Sequence, residues 1–404
     1  MSLDLLQAAE ARLPLWADGP LEFGRHWVLP YLHGAHPCRL LRGSARDGSP
    51  ASVLVVGTTG KLDHATLGPG FFAEPPEEVI CAPVHGTGLL AWLAAELDRH
   101  DLVLARTWQL FAREADGSFL TLPAQPDMRL PADAPDRVLA MATPTIRRFV
   151  RMAERHGFEL ARTTDEASFQ RFYWEFYRPF VEARHGAGTV LHPPSILRRR
   201  LRRGALTWAS LGGEPLFGSA SETGGGVLRE LVNGTADGRT DELARLAAYA
   251  VRLEHMRVSH AGGLRWLNLG GVAPWLSDGV ARHKRAWGAE LIDRQGNHRT
   301  LLVGWRRWTP AIARFLAAFP LVVRRPWGFG AVLAATGETP QPDVALKCGR
   351  SLAPRGITRM TVLDASGAAA LLWSERHGAR RIVLAQPPSS AQAVELIDQG
   401  IGSA

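Results

Sequence analysis

One stretch, residues 264–291, constrains the fold of this chain more than any other part; it reads LRWLNLGGVAPWLSDGVARHKRAWGAEL. Residues 264–269 read as a short strand, and two glycines and a proline end it abruptly. A helix is predicted next, because apolar residues recur there at helical spacing. Gly288 ends that helix, and residues 289–292 return to a strand. The stretch therefore predicts a strand–helix–strand unit of an α/β layer.

A lysine lies on the apolar side of this predicted helix. Ser277 can cap the N-terminus of the helix, and Asp278 in the first turn suits the positive helix end. The residues that share the inward side are Leu276, Val280, Lys284 and Trp287. Lys284 is therefore expected to point inward. The alternative is a lysine whose ammonium reaches water near the helix end.

The same stretch resembles the last part of the GNAT (GCN5-related) N-acyltransferase fold. Its sequence resembles that of double-GNAT proteins related to the Fem aminoacyltransferases, also called FemAB-like acetyltransferases. Two upstream segments extend the resemblance: residues 145–157, TIRRFVRMAERHG, and residues 167–185, ASFQRFYWEFYRPFVEARH. The resemblance covers about residues 143–295.

The element order between these segments agrees with a GNAT half-sheet. Strands are predicted at residues 206–211, 215–223 and 227–233, followed by a helix capped by Thr240 and then by the strand–helix–strand unit. The fold class predicted is α/β with mixed sheets and tandem GNAT-like domains. The first, degenerate GNAT-like domain is assigned to residues 1–140, the second, with the active site, to 141–300, and a small α/β extension to 301–404.

Two local predictions complete this outline. Residues 122–135 are rich in Pro, Asp and Ala and are interpreted as the link between domains. Residues 359–364, 368–377 and 381–385 are interpreted as a β-α-β pattern without a glycine fingerprint for a dinucleotide.

Composition favours a globular protein, and its basic charge suits anionic partners; the equal alternative is that GC-rich coding alone accounts for the many arginines. The chain has 404 residues and a net charge of +8, carried by arginine, since lysines occur only at 61, 284 and 347. Three scattered cysteines argue against a disulfide framework. The N-terminal residues lack a basic lead and a long apolar run, so no signal peptide is expected. No stretch of the sequence reaches the roughly 18 apolar residues that a membrane span requires, so none is expected. We therefore expect a cytoplasmic protein, and its oligomeric state stays open.

The resemblance points to the residues that carry chemistry. In GNAT acetyltransferases the residue four before the glycine of the aromatic-glycine pair is often a general-acid tyrosine, and here that position is Lys284. Fem-type enzymes carry a lysine in the matching motif, which implies that Lys284 stabilises the oxyanion formed during transfer. The resemblance implies that the donor carbonyl lies in a cleft where the strand before the central helix, residues 227–233, and the strand after it, residues 264–269, splay apart. An amine acceptor must lose a proton before it attacks, and Glu230 and Glu222, on strands that line this cleft, are the candidate bases.

Other residues are candidates for holding the substrates. Asn233 and Asn268 lie at strand ends and can bind acceptor or donor amides, and Trp275 can wall the acceptor pocket. Asp278 and Arg282, four apart on one helix, are expected to form a supporting ion pair.

The donor site is expected to be basic, but its usual phosphate loop is altered. GNAT proteins bind the coenzyme A pyrophosphate on a loop of the form Gln/Arg-x-x-Gly-x-Gly/Ala, whereas residues 234–240 read GTADGRT. Arg239 can still attract an anion there. Residues 195–204, SILRRRLRRG, hold the densest positive charge, and Arg198, Arg199 and Arg200 are candidate contacts to donor phosphates. The alternative for that helix is a solvated surface.

The function expected is an N-acyltransferase that forms an amide on a small-molecule or peptide amine. Its donor is either aminoacyl-tRNA, slightly favoured by the altered loop, or acyl-CoA, and no metal or tightly bound cofactor is expected. The alternative is a degenerate, non-catalytic GNAT protein that binds a nucleotide, RNA or a protein partner.

Overall fold

A computed structural model of the chain describes residues 35–57, 70–85, 88–108, 117–186, 191–294, 299–336, 341–364, 366–384 and 388–399. These residues form two compact units that interleave along the chain. The central unit comprises Asp127–Gly271 and His283–Glu290, and the flanking unit comprises the remaining described residues. The N-terminal residues used for the signal-peptide prediction lie outside the described part. The domain limits at residues 140 and 300 stay a prediction.

The strands of the described part, numbered in chain order, alternate with turns that are often glycine-rich. They are β1 Ala35–Ser44, β2 Pro50–Val56, β3 Glu77–His85, β4 Leu102–Trp108, β5 Leu120–Pro123, β6 Asp127–Pro131, β7 Glu159–Thr163, β8 Gly204–Leu211, β9 Glu214–Gly224, β10 Val227–Thr235, β11 Trp266–Gly271, β12 Glu290–Ile292, β13 Arg299–Gly304, β14 Leu321–Arg325, β15 Gly328–Ala334, β16 Ile357–Leu363, β17 Ala369–Ser374 and β18 Gly378–Val383.

The helices are mostly short, and one segment, Phe172–Tyr177, has π-helical turns. The α-helices are α1 Leu89–Glu96, α2 Pro135–Met141, α3 Pro144–His156, α4 Glu166–Arg171, α5 Arg178–His185, α6 Pro194–Leu201, α7 Glu242–Ala261, α8 Gly279–Ala286, α9 Pro310–Ala318, α10 Pro342–Leu352 and α11 Ser390–Gln399. Among the described helices, none combines the length and the apolar character needed to cross a membrane.

The central unit is built on a seven-stranded sheet with the order β12-β6-β11-β10-β9-β8-β7. Strands β7 to β10 are antiparallel neighbours, and β10 and β11 run parallel. The predicted order of three strands, helix, strand, helix and strand is confirmed as β8-β9-β10-α7-β11-α8-β12. The parallel pair requires the crossover helix α7, because parallel neighbours cannot be joined by a tight turn.

Two layers of helices cover this sheet. Successive residues of a strand face opposite sides: Leu206 and Trp208 of β8 pack against the aromatic residues of helical segment 169–177, whereas Thr207 between them bonds to His255 of α7. The aromatic layer buries Phe169, Phe172, Tyr173, Phe176 and Tyr177. Both faces of the sheet are therefore packed, which holds the strand register.

The flanking unit contains two further sheets around one apolar core. Their orders are β3-β1-β2-β4-β13-β5 and β14-β15-β16-β17-β18. The shared core includes Val53 and Leu104 from the first sheet and Val332 and Leu372 from the second, with Phe315 of α9. Each of the three sheets combines parallel and antiparallel pairs, and the predicted mixed α/β class is confirmed.

The segment predicted as an inter-domain link is instead partly a strand. β6 lies inside the central sheet between β11 and β12, with Leu130 opposite Leu267. Met128 and Leu130 are fully buried although prolines precede and follow them. The prediction failed because Pro and Asp at both ends of β6 indicate a loop, whereas the alternation of apolar residues that indicates a strand is very short.

Residues 368–377, predicted as a helix, form strand β17 instead. β17 pairs antiparallel with both β16 and β18, so the predicted β-α-β unit is a β-meander. Its Ala- and Leu-rich sequence favours a helix locally. Burial between two partner strands overrides that preference. Gly367, shortly before β17, and Gly378, the first residue of β18, both have positive φ.

Candidate active site in the central unit

The parallel ladder between β10 and β11 ends early. It pairs Val227 with Trp266, Leu228 with Leu267 and Arg229 with Asn268, although β10 continues to Thr235 and β11 to Gly271. Both strands bulge directly afterwards: β10 shifts its register to β9 between Glu230 and Val232, and β11 shifts its register to β6 between Asn268 and Gly271. Two neighbouring strands that stop pairing leave backbone groups without their ladder partners at that end of the sheet.

Lys284 lies at this end of β11. Its side chain is buried, with 7% of the residue surface exposed, so the inward orientation predicted for Lys284 is confirmed. Val280, predicted to share that inward side, is instead 46% exposed, so the prediction is wrong there. The Nζ atom donates hydrogen bonds to the carbonyl oxygens of Gly270 and Gly271, each at 2.9 Å. These bonds fix the ammonium group against the bulged strand end.

Gly270 is the residue that allows this approach. Its φ is +81°, a conformation that other residues adopt only with strain. A side chain there would stand 3.5 Å from the carbonyl oxygen of Glu230 and 3.8 Å from Lys284 Nζ. The bulge of β10, the bulge of β11 and the lysine therefore meet at one place.

Asn268 anchors the β11 bulge from inside. It is buried, its Nδ2 donates to Asp127 Oδ2 at 2.8 Å, and its Oδ1 accepts from the backbone N–H of Gly270 at 2.7 Å. Asn268 was predicted to contact substrate amides, but its own amide nitrogen and oxygen both have partners within the chain. Asp127 escaped the sequence analysis because it belongs to the segment interpreted as a link.

Glu230 faces helix α7, where two residues hold its carboxylate. Arg252 donates to both oxygens, at 3.2 and 2.7 Å, and His255 Nδ1 lies 3.1 Å from Oε1. His255 Nε2 lies 3.1 Å from Thr207 Oγ1, and Thr207 and His255 are fully buried. Arg252 also stands over the ring of Trp287, in the aromatic-glycine pair of the motif, at 5.4 Å.

These contacts determine how Glu230 titrates. Burial raises the pKa of Glu230, but the charges and hydrogen bonds of Arg252 and His255 outweigh it, so the pKa lies below its usual value. A carboxylate that is ionised and doubly held is a weak base. Arg252 and His255 were missed by the sequence analysis. They are three residues apart in helix α7 and therefore lie on the same side of it. Such a pair of basic residues is a sequence signal for a buried acidic partner on the facing strand.

Glu222, the other predicted base, lies among arginines. Arg200 donates from Nε at 3.0 Å, and Arg203 and Arg229 approach within 3.5 and 3.9 Å. Burial raises the pKa of Glu222, but the three guanidinium groups lower it by more, so this pKa lies below its usual value. Glu222 and Arg229 are directly opposed on β9 and β10, so this cluster stands beside the last paired residues of β10 and β11.

The arginine-rich helix α6 does not present one basic face. Arg198 pairs with Glu166 at 2.7 Å and lies over the ring of Phe169, and Arg199 is buried. Arg200 turns to Glu222. The three arginines predicted to contact donor phosphates thus have different surroundings and do not form one phosphate-binding surface.

The loop from β10 to α7 is acidic at its helix end. Asp241 caps α7 by accepting from the backbone N–H of Ala244 at 2.9 Å, so the predicted cap at Thr240 is wrong by one residue. The predicted phosphate contact Arg239 donates to Asp241 at 2.7 Å. Asp237 adopts a left-handed backbone conformation, with φ of 51°. The carboxylate at the helix N-terminus occupies the position that an anion would seek.

The remaining predicted site residues are placed as follows. Asn233 is half-buried on β10, opposite Ser219 of β9. Trp275, Asp278 and Arg282 belong to the flanking unit. Trp275 packs edge-on against Phe319, with ring centres 5.9 Å apart.

The helix start near Asp278 differs from the prediction. Asp278 caps α8, accepting from Ala281 N–H at 3.0 Å and from Ala273 N–H at 3.3 Å. Ser277, the predicted cap, donates its hydroxyl to the carbonyl of Ala318 at 2.8 Å. Among the ion pairs of the described residues, the expected one between Asp278 and Arg282 does not occur, and Arg282 is exposed.

Comparisons with known proteins give likenesses of fold only. No protein-family model and no curated protein matches the chain. The crystal structure of FemX is 13% identical, aligns over 74% of this chain and 96% of that one, and has a TM-score of 0.38. The C-terminal domain of a putative lysylphosphatidylglycerol synthetase from Agrobacterium fabrum is 9% identical, over 71% and 92%, with a TM-score of 0.35.

A tandem GNAT protein from the clavulanic acid biosynthesis pathway is 16% identical, over 56% of this chain and 74% of that one, with a TM-score of 0.27. All three solved structures have TM-scores of 0.38 or less with this chain. At such low identities and scores they assign no donor, acceptor or catalytic residue.

Proposed function

We propose that this chain is a GNAT-type N-acyltransferase that forms an amide by moving an acyl or aminoacyl group onto an amine. The observation that carries the proposal is the early end of the β10–β11 ladder with Lys284 bound at the bulged end of β11. Parted strands offer backbone hydrogen-bonding groups to an extended acyl donor. A buried ammonium beside them supplies positive charge close to its carbonyl.

Lys284 is the residue assigned to the chemistry. Attack of an amine on an ester or thioester carbonyl builds negative charge on the carbonyl oxygen. A cation already in place stabilises that oxyanion without reorganising, and removing one such donor costs about 10²–10³-fold in rate. The two carbonyls of Gly270 and Gly271 restrict the position of Nζ, and this supports a preorganised role.

The donor we favour is aminoacyl-tRNA, with acyl-CoA as the other candidate. The loop at the start of α7 holds Asp237, Asp241 and Glu242 against a single cation, Arg239, which is bound to Asp241. Such a loop repels a pyrophosphate. An aminoacyl-tRNA needs no pyrophosphate site there, and the basic charge of the whole chain suits a polyanion.

The base remains a prediction. The only support for Glu230 or Glu222 as the general base is that each is a carboxylate near the parted strands. Their arginine partners favour a role in holding β10, since a carboxylate with a lowered pKa accepts protons poorly. Asn233, half-buried on β10, keeps its assignment as a contact to substrate amides.

A non-catalytic GNAT protein is the second candidate. The bonds from Lys284 to two backbone carbonyls are also what a purely structural lysine makes. In that case the chain binds a nucleotide, RNA or a protein partner without transferring a group.

A binding titration separates the two candidate donors, and turnover with the donor that binds separates the transferase from the non-catalytic candidate. The purified chain is titrated with acetyl-CoA and with a pool of charged tRNA, each at two salt concentrations. We expect binding to charged tRNA that weakens steeply with salt, because released counterions drive it. Saturable binding of acetyl-CoA alone would replace the favoured donor by acyl-CoA, and absence of binding to both would contradict both donors and favour the second candidate.

A further inference from the structure

Two cysteines stand directly opposite each other on neighbouring strands of the flanking unit. Cys38 of β1 and Cys81 of β3 are register partners in an antiparallel pair, next to a bulge between His36 and Cys38. Both are free thiols. Cys38 is buried, and Cys81 is half-buried and packs against the same apolar cluster.

The strand register brings the two thiols within bonding reach. Directly opposed residues of an antiparallel pair have Cα atoms about 4.5–5.5 Å apart. Disulfide-linked cysteines have Cα atoms about 4.4–6.8 Å apart. Opposed side chains also lie on the same face of the sheet, so joining the two sulfur atoms requires no change of register.

The surroundings make the two thiols unequal. Burial, together with the neighbouring Cys81 and Glu96, raises the pKa of Cys38 to about 12. Cys38 is therefore a poor first nucleophile, because the thiolate is the reactive form. Cys81, with partial exposure, is the thiol that a small molecule reaches first.

We propose that Cys38 and Cys81 are a redox-responsive pair that closes to a disulfide by exchange with a small disulfide such as oxidised glutathione. The thiolate of Cys81 attacks one sulfur of the small disulfide and releases one small thiol, which leaves a mixed disulfide on Cys81. The sulfur of Cys38 then loses its proton and attacks the Cys81 sulfur, which expels the second small thiol. Two cysteine thiols are oxidised, and one small disulfide is reduced to two thiols.

The bond would tie down an edge of the sheet. β3 is an edge strand of the six-stranded sheet and carries Ile80, which is 84% exposed. A link from β3 to β1 restrains the chain between residues 38 and 81 in the unfolded state, and this raises the stability of the fold. The pair lies in the flanking unit and Lys284 in the central unit, so this proposal does not depend on the transferase proposal.

The test equilibrates the full chain with glutathione mixtures of increasing oxidised fraction. Free thiols are then alkylated under denaturing conditions and mapped by peptide mass spectrometry. We expect loss of the Cys38 and Cys81 thiols together and a linked peptide lighter by the two hydrogens lost. Cys348, which is exposed, stays alkylatable or carries only glutathione.

Two variants serve as controls. Cys348→Ser is expected to retain the link, and Cys81→Ser to abolish it. The oxidised wild type is expected to unfold about 5 °C or more above the reduced form, with no such shift in Cys81→Ser. Glutathione on Cys81 without a link, or three alkylatable thiols at every mixture, would overturn the proposal.

Discussion

At the scale of single residues, the buried carboxylate of Glu230 sets the energetics of the candidate site. It stands on the bulged part of β10 and is held from α7 by Arg252 and His255. Removing one partner of a buried ion pair leaves a charge without compensation, which costs far more than the pair itself contributes. These contacts thereby fix both β10 and the helix that follows it.

Arg252→Met is expected to lower the free energy of unfolding by about 3–5 kcal/mol, because Glu230 loses its main cation. Chemical denaturation measures this. The matched control is Arg171→Met, whose pair with Glu175 is exposed and lies on one helix, and we expect a change of about 0.5 kcal/mol or less there. Equal effects of the two variants would contradict the buried-pair account.

The same contacts predict a pH dependence. Since the pKa of Glu230 in the folded chain lies below its usual 4.5, its stabilising contribution is complete above that usual value. The contribution is lost as the pH falls toward the folded pKa. The difference in unfolding free energy between wild type and Glu230→Gln should narrow as the pH falls from about 5 to about 3. A constant difference across that range would be inconsistent with a lowered pKa.

At the scale of elements, the end of β11 depends on one backbone conformation. Gly270 takes φ of +81° where the strand leaves the ladder, and its carbonyl holds Lys284. Gly213, in the turn between β8 and β9, has the same φ of +81°, and a Cβ added there would meet no atom within 4 Å. An alanine at either glycine would therefore suffer the same backbone strain, but only Gly270 lies at the candidate site.

Gly270→Ala and Gly213→Ala are each expected to destabilise the fold by about 1–2 kcal/mol, from strain alone. Only Gly270→Ala should reduce acyl transfer, because it alone disturbs the carbonyl that positions Lys284. Thermal unfolding and transfer rates are compared for both variants. If Gly270→Ala transfers as fast as Gly213→Ala, the bulge does not position the lysine.

The loop before α7 supplies a second test at this scale. Asp241→Asn keeps a good helix cap but removes a negative charge. We expect acetyl-CoA binding to strengthen about two- to fivefold, the effect of one charge at a helix N-terminus. Asp165→Asn, at the capped start of α4, is the control and should leave acetyl-CoA binding unchanged. If both variants behave alike, the acidity of the loop does not select the donor.

At the scale of the whole molecule, what the sequence predicts correctly is what its local signals determine. Helix α3 begins after Thr143, whose side chain caps it, and ends before Gly157, so residues next to the helix in sequence mark both of its limits. The burial of Lys284 was predicted correctly from helical spacing, although Val280, on the same predicted side, is exposed. The insertion of β6 and β13 into sheets with distant strands could not be predicted, because their partners lie far along the chain.

The same limit applies to the site. Asp127 reaches Asn268 across 141 residues, and no short pattern announces that contact. Arg252 and His255 look like two more polar residues among the charged residues of helix α7 until β10 is placed beside them. The lysine could be found from the sequence, whereas the groups that hold its surroundings required the fold.

The central claim is that Lys284 stabilises the transition state of transfer, and a turnover comparison tests it most directly. Wild type, Lys284→Met and Lys284→Arg are compared for transfer from whichever donor binds, charged tRNA or acetyl-CoA, to a panel of small primary amines. Lys347→Met, at an exposed position of α10, is the control. Donor affinity and thermal unfolding are measured alongside. We expect Lys284→Met to bind donor but to transfer about 10²–10³-fold more slowly, with partial recovery in Lys284→Arg. Transfer at the wild-type rate by a folded Lys284→Met would contradict the claim.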